Sequence, residues 1–153
     1  MKTDVTVIDA SGLILGRLAS NVAKRIILGE KIVIVNSENA IISGSKKKAM
    51  EEFKKRLGFR TLGSQEKAPK RPRRPDNFVR RTIRGMLPWK KPKGKSAYRR
   101  LAVYIGVPNE YLGKAVQSMP EAKKNLLPFI TVGDLLKTFG WQKAEKKGTI
   151  ALD

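Results

Sequence analysis

The stretch "VTVIDASGLILGRLASNVAKRIILGEKIVIVN", residues 5–36, decides the fold class of this chain. It begins with a β-rich run, residues 5–9, and ends with a short β-branched run, residues 31–36, typical of a strand buried on both faces. Between these runs, six apolar residues form one stripe at helical spacing: Leu15, Leu18, Ala19, Val22, Ala23 and Ile26. Gly29 marks the predicted end of this helix.

The same alternation of strands and helices continues along the chain. A second helix is predicted over "KKKAMEEFKKRLG", and a further strand over "RLAVYIG", residues 100–106. Thr131 and Asp134 open a last predicted helix with an N-cap arrangement. This alternation predicts an α/β fold with a small, mainly parallel sheet covered on both faces. We expect one domain over residues 1–153, with a mixed-charge tail at about residues 141–153.

The composition excludes several classes of function. The 153 residues include 33 Lys and Arg against 13 Asp and Glu, a formal net charge of +20, with no Cys and no His. The absence of thiols and imidazoles removes disulfides, the usual catalytic base and the commonest metal ligand, so no cofactor or metal is expected. No apolar run approaches the roughly 20 residues that cross a bilayer, and the amino terminus has no apolar signal core, so neither a membrane partner nor secretion is expected. A polyanionic partner fits this charge.

The charge is concentrated in one part of the chain. Residues 67–100 contain 14 basic side chains and one acidic one, Asp76, together with five of the eight prolines. The run "KRPRRP" favours an extended, solvated path, and "FVRRTIRGML" favours a short helix. We therefore predict an extended basic arm that follows a phosphate backbone. A disordered tail or targeting signal is the alternative, but the run lies in mid-chain and precedes a strand.

The candidate contacts in this arm are its arginines and lysines, because Arg pairs with phosphate through two parallel hydrogen bonds and Lys supplies point charge. They are Lys70, Arg71, Arg73, Arg74, Arg80, Arg81, Arg84, Lys90, Lys91, Lys93, Lys95, Arg99 and Arg100. Trp89, among the lysines, either stacks on an unpaired base or packs against the domain. The composition does not separate DNA from RNA, but no basic-zipper heptad or zinc-finger spacing is present, which favours RNA.

Two further sites lie at predicted helix starts. Arg17 lies near the turn "VIDASGLILGRLAS", where free amide groups could hold a phosphate; the alternative is a plain turn, since no glycine-rich nucleotide motif is present. The positive end of the second helix dipole carries three more positive charges, those of Lys46, Lys47 and Lys48. A bound anion would reduce the resulting repulsion. The alternative there is a solvated helix neutralised by the nearby Glu51 and Glu52.

Three interpretations of function remain at this point: an RNA-binding structural protein, an enzyme acting on nucleotides, and a DNA-packaging protein or repressor. The enzyme is suggested by the α/β class and by Asp9 in the "DASG" turn, but fold class is a poor guide to function. The carboxylates are scattered and have no metal-ligand spacing. Catalysis that is lost in Asp9→Ala would favour the enzyme, and equal affinity for duplex DNA and structured RNA would favour the repressor.

Two blocks of the sequence resemble the universal L-thirteen family of large-subunit ribosomal proteins. The first is "VIDASGLILGRLASNVAKRIILGEKIVIVNSENAIISGSK", and the second is "RRTIRGMLPWKKPKGKSAYRRLAVYIGVPNEY", with "RGMLP", Gly94 and "RLAVYIGVP" in order. Together they cover about residues 5–112. The short spacer before "GEKIVIVN" and the run "APKRPRRP" look like the archaeal and eukaryotic branch, and the modest length looks archaeal.

This resemblance implies a three-layer α/β/α fold with a parallel sheet and a structural role in the large ribosomal subunit, with no enzymatic activity. It implies direct binding of large-subunit, 23S-type rRNA, support of subunit assembly and translation, and contacts with neighbouring large-subunit proteins. It also implies a cytoplasmic location in the ribosome and no small-molecule substrate. The RNA contacts carried over are Arg17, the lysines of "SGSKKK", the "KRPRR" arm, Arg80, Arg81, Arg84 and the cations from Lys90 to Arg100.

Overall fold

The computed structural model describes residues 5–64, 66–123 and 128–142 of the chain. The strands are β1 (Val5–Asp9), β2 (Lys31–Val35), β3 (Ile41–Ser43), β4 (Leu101–Val103), β5 (Val116–Gln117) and β6 (Phe129–Thr131). The α-helices are α1 (Leu15–Leu28), α2 (Lys46–Leu57), α3 (Pro75–Gly85), α4 (Pro92–Arg99) and α5 (Val132–Lys137). Short 3-10 turns lie at Ser37–Asn39, Asn109–Tyr111 and Pro120–Ala122.

The main sheet is parallel and has the strand order β4-β2-β1-β5. Its central pair joins β1 to β2 in a register that places Val7 beside Val33 and Ile8 beside Ile34. A separate antiparallel pair, β3 with β6, lies outside this sheet. The predicted α/β class with a small, mainly parallel sheet is therefore confirmed.

The predicted stripe of α1 is its buried face. All six residues of the stripe are buried, and Leu18, Val22 and Ile26 are fully inaccessible. Gly29 ends the helix as predicted, with a φ of 113°, a left-handed conformation that glycine adopts without a steric penalty. Its amide donates to the carbonyl of Ile26 at 3.3 Å.

Burial divides unequally between the two faces of the sheet. Each of the five α-helices contributes buried residues to one large apolar cluster, which also contains Ile8 and Ile34 from the sheet. The opposite face carries a smaller cluster of Val7, Val33 and Val35, with Ala102 and Tyr111 packed against it. Among the described residues, Tyr111 of the 3-10 turn Asn109–Tyr111 thus packs against the second face of the sheet.

The basic segment, residues 67–100, contains more regular secondary structure than the predicted extended arm. Pro75–Gly85 and Pro92–Arg99 are the helices α3 and α4, and regular secondary structure is lacking in the stretch that precedes α3 and in the turn at residues 86–91. Val79, Ile83 and Ala97 from these helices are fully buried. The prolines indicated an interrupted chain, yet Pro75 and Pro92 each occupy a first-turn position, where the missing amide hydrogen costs nothing. The short helix predicted over "FVRRTIRGML" is thus confirmed by α3, whereas the rest of the predicted extended arm is corrected, because Pro92–Arg99 is helical.

The turn that joins α3 to α4 is tight because Gly94 lies against it. A Cβ atom added at Gly94 would lie 2.2 Å from the carbonyl oxygen of Pro88 and 3.1 Å from the backbone nitrogen of Trp89. These are backbone atoms, so a side-chain rotation cannot relieve the overlap. The absence of a side chain at Gly94 therefore sets the distance between the two basic helices.

We predict that Gly94→Ala lowers the free energy of unfolding by about 1–3 kcal/mol or more, because the overlap must be relieved by moving backbone. Gly85→Ala is the matched control: its Cβ meets nothing within 4 Å, and the smaller entropy of unfolded Ala predicts no loss and a gain of up to about 1 kcal/mol. Urea denaturation followed by circular dichroism measures both. Equal stability of the two variants would contradict this packing.

Candidate nucleic-acid interface

The helices α3 and α4 bury apolar side chains and leave their cations outside. Val79 and Ile83 point into the core, whereas Arg80, Arg81 and Arg84 of the same helix are half-buried. Five cations on the following turn and on α4 are exposed: Lys90, Lys91, Lys93, Lys95 and Arg99. No carboxylate pairs with any of these eight cations within the described ranges. The amphipathic pattern thus produces a cationic face that the rest of the fold holds in place.

Two arginines of this face lie over aromatic rings. The Cζ atom of Arg80 lies 4.6 Å from the ring centroid of Tyr98, and that of Arg84 lies 5.0 Å from the centroid of Trp89. The Tyr98 and Trp89 rings contact each other edge to face, with centroids 5.0 Å apart at 84°. Such contacts orient a guanidinium while leaving its hydrogen-bond donors available.

Trp89 therefore packs against the protein, which was one of the two alternatives for it. It contacts Tyr98 and Arg84, and 37% of its surface remains exposed. Stacking of a base on the remaining surface of Trp89 stays a prediction.

Arg71, Arg81 and Arg84 approach one another, although Arg71 precedes α3. Burial lowers the pKa of Arg81, and the positive charges of Arg84 and Arg71 lower it further. Because like charges this close raise the free energy of the unbound protein, the cluster favours an anion that would compensate them.

The stretch before α3 holds the other predicted cations of the "KRPRR" run. Lys70 and Arg73 are exposed and make no ion pair in the described part of the chain. Arg74 pairs with Asp76, with Nη2 2.9 Å from Oδ2, in the first turn of α3. Lys70 and Arg73 are thus the more available of these three cations.

Arg100 has a structural role that the sequence did not reveal. Its Nη1 donates to the carbonyl oxygen of Ile26 at 3.0 Å, in the last turn of α1. This carbonyl belongs to the negative end of the helix dipole, where a cation is stabilising. Arg100 therefore differs from its neighbour Arg99, which is exposed, although both are predicted RNA contacts.

The β1–α1 turn is held together by the carboxylate of Asp9. Its Oδ1 accepts hydrogen bonds from the amide of Ser11 at 2.9 Å and from Nδ2 of Asn36 at 3.1 Å. Asp9 thus joins the turn to the end of β2. Arg17 is exposed, and its Nη1 donates to the carbonyl oxygen of Glu121 at 3.2 Å. Arg17 is therefore anchored at the amino end of α1, on a different helix from Arg80, Arg81 and Arg84.

The three lysines of α2 lie at its exposed start. Ser45 caps the helix by accepting from the amide of Lys48 at 3.3 Å, and no acidic residue occupies the first turn. Of the two nearby carboxylates, that of Glu52 pairs with Arg56 and not with the three lysines. Lys46, Lys47 and Lys48 therefore remain an exposed cationic group, near the amino end of α5.

The carboxyl group of Asp134 on α5 lies close enough to Lys46 for the charge of that lysine to affect its pKa. The pKa of its carboxyl is lowered, first by a hydrogen bond with the Thr131 side chain and then by Lys137 and Lys46, while burial opposes the shift. The amide of Asp134 also donates to Thr131 Oγ1 at 3.0 Å. The predicted N-cap at Thr131 is thereby confirmed.

The fold adds one cation to the arginine cluster that sequence analysis missed. Arg56, from the last turn of α2, lies beside Arg71, Arg81 and Arg84 around a common cavity. Helical periodicity alone could have placed Arg56 on the same face of α2 as Glu52, but its proximity to α3 depends on tertiary packing. The lysines at the other end of α2 are about 15 Å away, since the helix rises about 1.5 Å per residue.

Among the described residues, no three His, Cys, Asp or Glu side chains form a group that could hold a metal ion. None of the helices in the described ranges has the length and apolar character needed to span a bilayer.

The fold and this face describe an α/β protein whose surface is dominated by uncompensated cations. The family model for ribosomal protein L13 matches residues 3–110. A protein of Methanococcoides burtonii named large ribosomal subunit protein uL13 is 48% identical over 139 residues, which cover 89% of this chain and 98% of that protein. Proteins of the same name from Archaeoglobus fulgidus and Methanocaldococcus jannaschii are 50% and 45% identical, covering 78% and 89% of this chain and 74% and 98% of their own lengths.

The chain therefore belongs to the ribosomal protein L13 family. The three relatives are archaeal, in agreement with the archaeal type that the sequence indicated. Family membership also decides between the ribosomal and enzymatic interpretations of the α/β fold: the chain is a ribosomal protein and not an enzyme.

We predict that alanine substitutions of the adjacent Arg99 and Arg100 have different effects, one on RNA binding and the other on stability. Arg100→Ala removes the hydrogen bond to α1 and lowers the free energy of unfolding by about 1–2 kcal/mol, since a charged hydrogen bond at a half-buried site is lost. Arg99→Ala changes stability by less than about 0.5 kcal/mol, as expected for an exposed side chain, and weakens binding to structured RNA. Thermal unfolding and filter binding measure the two effects. A greater loss of stability in Arg99→Ala than in Arg100→Ala would contradict these assignments.

Proposed function

We propose that this chain is a structural constituent of the large ribosomal subunit that binds 23S-type rRNA and supports subunit assembly and translation. Its location is the cytoplasmic ribosome, and its partners are large-subunit rRNA and neighbouring large-subunit proteins. The observation that carries the proposal is the cationic face of α3 and α4, found in a member of a ribosomal protein family.

The distribution of charge supports a polyanionic partner, and membership of a ribosomal protein family favours rRNA as that partner. Residues 67–100 carry a net charge of +13, and the only acidic side chain, that of Asp76, is paired with Arg74. Each phosphate that such a surface neutralises releases condensed counterions, which gives binding free energy without any requirement for base sequence. Because α3 and α4 are already folded, less conformational entropy is lost on binding than in a disordered arm.

The remaining predicted contacts extend the proposed interface around the molecule. Arg17 lies on α1, and the three lysines of "SGSKKK" lie at the start of α2, rather than on α3 and α4. We propose that they meet other RNA segments, as in a protein that holds several parts of a folded RNA together. The helix starts at Lys46 and Pro92 lack an acidic residue in the first turn, which favours an anion at both.

We expect the protein to co-sediment with large ribosomal subunits in a sucrose gradient of a lysate from the source organism, in equal molar ratio to other large-subunit proteins. Quantitative mass spectrometry of the fractions, at low and moderate salt, measures this ratio. A pool that stays at the top of the gradient, or that moves with DNA and is released by DNase, would contradict the proposal and favour the repressor interpretation.

We predict that Lys93→Gln with Lys95→Gln weakens rRNA binding without harming the fold. The slope of log K against log salt becomes shallower by about 1.5 units if each lysine meets one phosphate. The melting temperature of the free protein stays the same or rises slightly, because both cations oppose the dipole of α4.

The matched control removes the same charge elsewhere: Lys24→Gln with Lys123→Gln, both exposed and neither of them among the proposed RNA contacts. This variant keeps a slope close to that of the unchanged protein. If both double variants lowered the slope equally, binding would depend on total charge and not on the face of α3 and α4.

A further inference from the structure

A cavity of about 380 Å³ opens between the end of α2, the segment before α3, and α3 itself. We call it the arginine cavity, because Arg56, Arg71, Arg81 and Arg84 line it. The side chains of Phe53 and Phe78 line its inner part, where their rings meet edge to face at 5.8 Å. The cavity thus combines a cationic rim with an aromatic floor.

The rim is not neutralised by the protein. Arg71, Arg81 and Arg84 make no ion pair among the described residues, and the buried Nε atom of Arg71 has no hydrogen-bond partner there. Of the four arginines, Arg56 has a partner, the exposed carboxylate of Glu52. Burial and the positive charges of Arg84 and Arg71 lower the pKa of Arg81, which is the direction expected for guanidinium groups that lie close together without an anion. An anionic ligand on the rim would reduce the repulsion among these groups.

The aromatic floor of the cavity favours a ligand that carries an apolar ring in addition to an anionic group. Phe53 is 6% exposed, and Phe78 is half-buried beside it, so the cavity presents an apolar aromatic surface a short distance behind the guanidinium groups. Its volume lies within the range of about 300–1,000 Å³ that is typical of small-molecule sites, larger than one phosphate needs. A ligand that fits has an anionic group joined to a flat apolar ring.

We propose that the arginine cavity takes one unpaired nucleotide of the rRNA, turned out of its helix. Its phosphate contacts the guanidinium groups of Arg71, Arg81 and Arg84, and its base lies against the ring of Phe78. Proteins that read RNA commonly stack splayed-out bases on aromatic side chains and on guanidinium planes. This inference rests on the proposed rRNA binding and adds a specific site to it, since a flat face of cations contacts phosphates without accepting a base.

The first test titrates the free protein with adenosine monophosphate, uridine monophosphate and inorganic phosphate at constant ionic strength. Amide chemical shifts of Thr82 and Gly85, which border the cavity, report binding. We expect both monophosphates to bind about tenfold or more tightly than inorganic phosphate, as contact of the base with an aromatic ring contributes about 1–3 kcal/mol. Equal affinities would show an anion site only and would overturn the proposed base contact.

The second test changes the two parts of the cavity separately. Arg71→Lys and Arg81→Lys keep the charge but remove the planar fork, and we expect each to weaken monophosphate binding about tenfold. Phe78→Leu keeps an apolar side chain, and we expect it to reduce the preference for monophosphate over inorganic phosphate to about twofold. Lys24→Arg, on an exposed cation of α1 outside the cavity and outside the proposed RNA contacts, is the matched control and leaves both affinities unchanged. Full affinity in both lysine variants would overturn the proposal.

The outcomes separate this inference from the proposed function. If the unchanged protein binds 23S-type rRNA but neither monophosphate, the cavity is not a nucleotide site and the ribosomal role stands. If it binds neither rRNA nor monophosphates, both proposals fail. An acidic peptide without phosphate that shifts the same amides more strongly than a monophosphate would assign the cavity to a protein partner and would also overturn the inference.

Discussion

Two fully buried aliphatic side chains, Val79 and Ile83, hold the most cationic part of the chain against α1. Burial of such side chains contributes about 1.5–3 kcal/mol each, which opposes the repulsion among the neighbouring half-buried arginines. The apolar contact with α1 thus stabilises α3 against the charge that the same helix carries. The positions of Arg80, Arg81 and Arg84 all depend on this contact, because they occupy the outer face of the same helix.

Local patterns predicted β1, α1, β2 and the caps at Gly29 and Thr131, because those elements depend on residues close in sequence. Helix α4 was not predicted, since Ala97 is its one buried aliphatic residue and Pro92 resembled an interruption. The different roles of Arg99 and Arg100 could not be predicted either: the partner of Arg100 is the carbonyl of Ile26, 74 residues earlier. Arg56 was missed for the same reason, because tertiary packing places it beside Arg71.

The family model and the cationic surface concern the same part of the chain. The L13 family model covers residues 3–110, which include the main sheet strands β1, β2 and β4 and both basic helices. The carboxyl ends of β1 and β2, where many α/β enzymes bind ligands, are instead occupied by hydrogen bonds of Asp9 to Ser11 and Asn36. The chain thus uses an α/β scaffold to position cations on helices, and the carboxylate at the strand ends joins two turns.

The strand order has a consequence for synthesis on the ribosome. Strand β2 is complete at Val35, but its outer neighbour β4 begins at Leu101, about 65 residues later. Since synthesis proceeds at about 5–20 residues per second, the apolar edge of β2 remains unpaired for several seconds before β4 is made. Such an edge is a template for pairing with other chains. The intervening residues are the most highly charged of the chain, so their mutual repulsion keeps nascent chains apart until β4 closes the sheet.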